Sequence, residues 1–246
     1  MRIVFCLLLL TRIGQAAEPI FSLLDNTPAV AKVEYPVKGS RILIHIRDWH
    51  WVPYDYIEAE LPDDTPSEKV AAAYVTHLEE VRQVQEEQFT VLKKLLDRES
   101  IALFREGLTP DIQPAYRTVS QGLWKRHSRI PEVGDELFKR PNVLSLGTPG
   151  RLLARGLVKQ VHAVDTDETL SLTNPLLPDG TLRKVPSEAI DKREDHVVRR
   201  VLQTGGNAVV ILGGAHDLSD NVSRLGNGRL GLITVTTRAY RKHAGQ

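Results

Sequence analysis

Two histidines carry the chemistry of this chain, each beside a carboxylate and each closing an apolar run. Asp48-Trp-His50 follows Arg41-Ile-Leu-Ile-His-Ile-Arg47, and His216-Asp217 follows Ala208-Val-Val-Ile-Leu-Gly-Gly-Ala215. Glu106, after the apolar segment Ile101 to Phe104, ends a third run. Imidazole titrates nearest neutrality, so a histidine oriented by a carboxylate can take and return a proton. The same groups, His50, His216, Glu106 and Asp48, also match the nitrogen and oxygen ligands of a Zn, Mn or Fe centre with positions open to water. The residue types admit both chemistries.

A charged pair on a helix adds to this set. Ile190, Val197, Val198 and Val201 recur at helical spacing, and Arg193 and Glu194 fall on or beside that stripe. Charge on a buried stripe must be paired, so either residue is a candidate for the site. The alternative is that both lie at the stripe's border and extend to water. His45 has the opposite strand parity to Asp48 and His50 and reads as a core histidine. Asp165-Thr-Asp167 reads as a helix cap, although Asp165 also ends an apolar run. With neither Gly-x-Ser-x-Gly nor His-Glu-x-x-His in the chain, a serine triad and a zincin site fall away.

These groups need strands that end together. Ile42 to Ile46 and Ala208 to Leu212 are near-continuous apolar runs, the pattern of strands covered on both faces. Further strands are expected at Ile101 to Phe104, Val143 to Leu146, Val161 to Val164 and Leu232 to Thr236, the last at an edge because of its threonines. Between them, a long amphipathic helix is expected from Pro66 to about Arg98, and another from Pro186 to about Gln203, stopped by Gly205-Gly206. Gly147 to Gly150 reads as a turn into a helix beginning at Arg151. Strands alternating with helices predict an α/β fold with a mainly parallel central sheet. Residues 17–40, with Pro19, Pro28 and Pro36, read as an irregular lead-in to a single domain over 41–246.

The 246 residues are 41% hydrophobic and 26% charged, enough for a globular core. Arg2, the apolar stretch Ile3 to Leu10 and the small residues Gly14, Ala16 and Ala17 predict a signal peptide over 1–16, and hence export to a periplasm or the extracellular space. An apolar run this short cannot span a bilayer. Loss of Arg2 and Arg12 with that segment takes the formal charge from +1 to −1, which argues against nucleic acid as a partner. The substrate expected is a small molecule or a peptide. Cys6 lies in the same segment, so the remainder has neither a disulfide nor thiolate chemistry.

The ordered set resembles the superfamily that joins TraB and Tiki-like proteins with erythromycin-esterase and ChaN-like proteins. Those proteins have a first strand ending in Gly-x-x-His, a strand-end Glu, an Arg-Asp helix motif and a late Gly-x-x-His. Here Asp48-Trp-His50 with Trp51-Val-Pro53, then Glu106-Gly107, Arg193-Glu-Asp195 and Gly213-Gly-Ala-His216 look like these in order. Arg47 stands where the first glycine would be, and Glu194 interrupts the Arg-Asp pair. The resemblance implies an α/β fold with a pocket at the strand ends and a hydrolase or protease-like activity, metal-dependent in the Tiki branch. Water activated against an amide or ester bond is the leading expectation. A ChaN-like periplasmic protein that binds metal or haem without turnover is the alternative, and a degenerate scaffold is the third, expected if the two histidines lie apart.

Overall fold

The computed structural model describes residues 22–35, 41–97, 101–127 and 136–246. The expected signal segment, 1–16, lies outside the described residues. The centre is a six-stranded sheet of β1 (Ala29–Tyr35), β2 (Arg41–Asp48), β3 (Ala102–Arg105), β4 (His162–Ala163), β5 (Ala208–Gly213) and β6 (Leu230–Thr237), ordered β1-β6-β2-β5-β3-β4. All neighbouring pairs are parallel except β1 with β6.

Helices cover both faces, as the apolar runs require. Ile42, Ile44 and Ile46 of β2 pack into one core with Phe89, Val91, Leu92 and Leu95 of the long helix α2 (Ser67–Leu96), which follows the short α1 (Tyr54–Glu60). On the other face, Leu43 joins Val197, Val198 and Val201 from helix Ser187–Gln203 and Val222 from helix Ser219–Gly226. The remaining helices are α3 (Gln113–His127), α4 (Pro141–Leu144), α5 (Gly147–Ala154) and α6 (Asp167–Thr173), so the two just given are α7 and α8, with α9 (Arg238–His243) after β6. Arg41, at the start of β2, donates to the carbonyls of Val201 and Leu202 and so holds the C-terminal end of α7.

Four expectations are corrected. Residues 29–35, inside the expected irregular lead-in, form β1, because Ala29 to Tyr35 pair antiparallel with Leu232 to Thr237. That pairing makes β6 an interior strand between β1 and β2; its threonines are β-branched and fit a pleated sheet as well as an edge. Val143 to Leu146 is not a strand. Pro141 opens α4 there, and Leu144 packs on Leu78 and Val81 of α2, so the run Val143 to Leu146 is the end of a helix and a turn. Gly147 to Gly150 lies within α5 and is not a turn before it.

Strands β2, β5 and β3 are adjacent, so their carboxyl ends open onto one place. The chain leaves β2 through α2 on one face and reaches β5 through α7 on the other. A crevice at such a point, beyond the strand ends, is where open α/β sheets bind ligands.

Candidate active site

Glu106 is the hub. It follows β3 directly, and its Oε2 accepts from the backbone N–H of Gly213 at the end of β5 (2.6 Å). His50 Nε2 lies 2.8 Å from the same oxygen. Arg193 Nη1 is 2.9 Å from Oε1, and His216 Nε2 is 3.5 Å from it. The carboxylate thus meets four donors from β5, α7 and two loops.

Each partner is held from behind. His50 Nδ1 is 3.1 Å from Asp48 Oδ2, while Asp48 Oδ1 accepts from Gln88 of α2 (2.8 Å). Gln88 is fully buried and in turn accepts from Thr148 (2.9 Å). His216 Nδ1 is 2.8 Å from Glu194 Oε1. Arg193 makes a two-point contact with Asp165 (2.7 and 2.8 Å), and Asp165 also accepts from the N–H of Gly107 (2.7 Å). A buried guanidinium with carboxylates on both sides has its charge matched as well as its hydrogen bonds.

The sheet edge is tight at this point. A Cβ on Gly213 would clash with His50 Nε2, and one on Gly214 would overlap the hydroxyl of Tyr240 from α9. Glycine is required here for close approach of side chains, not for an unusual φ.

Electrostatics divides the histidines. Loss of solvent around His50 opposes its protonation, but Glu106 and Asp48 outweigh this and raise its pKa well above the ordinary value. For His216, burial again opposes, and Glu106 and Glu194 lift the pKa to about 9. Burial would raise Glu106; His50, His216 and Arg193 hold it well below the usual carboxylate range. His45, buried beneath and 3.2 Å from the carbonyl of Leu212, is pushed by burial down to about 4 and stays neutral. It is a core residue, as its parity indicated. His50 is the open member, with 42% of its side chain exposed against 13% for His216 and 12% for Glu106.

All six expected residues, Asp48, His50, Glu106, Arg193, Glu194 and His216, meet in this network. The choice between Arg193 and Glu194 dissolves: both are buried, one turned to Glu106 and the other to His216, and neither extends to water. Asp165 supports Arg193; α6 is capped instead by Thr166. Gln88 and Tyr240 were missed. Gln88 could have been found as the polar residue on the apolar stripe Val81, Val84, Leu92 and Leu95 of α2.

Among the described residues no three His, Cys, Asp or Glu side chains form a group able to hold an ion. The oxygens of Glu106 already face a guanidinium and an amide N–H, which a divalent cation would have to displace. No described helix is long and apolar enough to cross a membrane. Compared with protein-family models, curated proteins and solved structures, the chain matches none.

Proposed function

We propose that this chain is an exported hydrolase of the kind its ordered residues resemble, with His50 activating water against an amide or ester bond. The observation that carries the reading is the position of His50, solvent-facing and bound at both ring nitrogens by carboxylates from two strand ends. Water enters at Nδ1, the longer of the two contacts. The neutral imidazole keeps its Nε2–H on Glu106, as a general base is oriented by a carboxylate. Nδ1 then takes a proton from water while the oxygen bonds to the carbonyl carbon. The same proton passes to the departing nitrogen or oxygen as the bond to carbon breaks.

His216 has a different role in this scheme. Enclosed by Glu194 and Glu106, it stays an imidazolium through neutral pH and, with Arg193, keeps Glu106 ionised and fixed. Both histidines touch one carboxylate, the opposite of the separation that a degenerate scaffold implies.

The test is turnover of a panel of esters and amides by the purified protein and by His50→Ala and His216→Ala. Loss of hydrolysis in a folded His50→Ala is expected; unchanged turnover in both variants sinks the reading. Dialysis against a chelator tests the metal option. Turnover that survives fits proton transfer by His50, whereas turnover lost and restored by Zn²⁺ or Mn²⁺ replaces it with metal-assisted hydrolysis.

A further inference from the structure

Arg47 lies on β2 one residue before Asp48, in register with Leu212 of β5. It is half-buried, and its guanidinium makes no hydrogen bond and no ion pair with any described residue. Its Nε is buried without an acceptor. The cations of the site are matched: Arg193 by two carboxylates, His216 by two, His50 by two. A buried donor left unmet is costly, and a native site tolerates it where a ligand or water completes it.

The parity of Arg47 is that of Leu43 and His45, so it lies on the sheet face from which α7 and α8 approach, the side of Glu194 and His216. Asp217 is within electrostatic reach. That carboxylate is already turned to its own loop, where Oδ1 accepts from the N–H (3.0 Å) and hydroxyl (2.5 Å) of Ser219.

We propose that Arg47 is the anchor for a carboxylate on the substrate, which makes the preferred substrate an acid-bearing amide or ester. The proposal rests on the hydrolase reading of the same site. A guanidinium meets a carboxylate in a planar two-point contact, and its Nε–H takes part in one such geometry. Single negative charge is favoured over a phosphate dianion because the Asp217 carboxylate lies within electrostatic reach of the same guanidinium. His50 follows three residues after Arg47, just past the end of the same strand, so the amide or ester carbon would lie toward it.

Isothermal titration with benzoate, and with benzyl alcohol as its neutral counterpart, tests this without turnover. The whole protein should bind benzoate, Arg47→Met should weaken it tenfold or more, and Arg47→Lys should fall between. Benzyl alcohol should not distinguish the three. On substrates, the ratio of kcat/KM for an acid-bearing ester over its neutral analogue should fall by a similar factor in Arg47→Met. Equal benzoate affinity in wild type and Arg47→Met, no benzoate binding by wild type, or inorganic phosphate bound as tightly as benzoate would each overturn the anchor. A protein that hydrolyses nothing yet binds benzoate through Arg47 leaves the anchor standing and removes only the hydrolase reading.

Discussion

Arg193 and Asp165 form a two-point ion pair beneath the site, with the Asp165 side chain wholly buried and that of Arg193 8% exposed. The pair joins α7 to the end of β4, and through Arg193 it sets where Glu106 can lie. Removing one partner strands the other charge in a low-dielectric interior. Asp165→Ala should therefore cost about 3–5 kcal/mol in urea unfolding, and Asp165→Ala with Arg193→Met should recover part of it. A single variant as stable as wild type would show that the pair contributes nothing.

Gly213→Ala separates the site from the fold. The three atoms nearest the added methyl all belong to the His50 ring, an exposed side chain at the mouth, so the sheet should persist while His50 is displaced from Glu106. The expectation is a drop in kcat of tenfold or more with a melting temperature close to wild type. Gly206→Ala, where a Cβ meets nothing within 4 Å, serves as the control and should leave both measurements unchanged.

How much of this was legible in the sequence depends on what each residue needs from far away. Asp48, His50, Glu106 and His216 follow apolar runs at strand ends, and strand ends converge in any parallel sheet, so their meeting could be read before the fold was known. Val143 to Leu146 could not be read. A four-residue run with three apolar positions satisfies strand and helix alike, and the choice was made by Pro141 and by packing on α2. β1 was hidden because Lys32 and Glu34 interrupt its apolar residues and its pairing partner, β6, lies at the far end of the chain. Gln88 was passed over among many polar residues of a long helix, although it alone among them is fully buried where it reaches Asp48.

His216 ties stability to pH. Its pKa in the fold is about 9, above the ordinary 6.5, so the native state binds this proton more tightly than the unfolded chain. The stabilisation is complete below pH 6.5 and is lost as pH rises through about 9. Its size is on the order of 3 kcal/mol. Denaturant unfolding at intervals from pH 6 to 10 should show this decline, with a smaller one in His216→Gln. Identical pH dependence in the two proteins would mean that His216 is not held by Glu106 and Glu194.

Asp48 should set the pH at which the site works. If His50 is the base, kcat/KM follows its neutral form. Because Glu106 and Asp48 raise its pKa well above 6.5, activity should climb from neutral into alkaline pH. Asp48→Asn leaves one acceptor where the carboxylate has two, shared between His50 Nδ1 and the Gln88 amide, and removes one of the two negative charges that favour imidazolium. The rising limb should then move toward acid, leaving the variant relatively more active near pH 6 even where its maximum is lower. Glu106 remains, so the limb should not return fully to that of a free histidine. A limb that stays in place, or moves toward alkali, would show that the titrating group is not His50 or that Asp48 does not stabilise its charge.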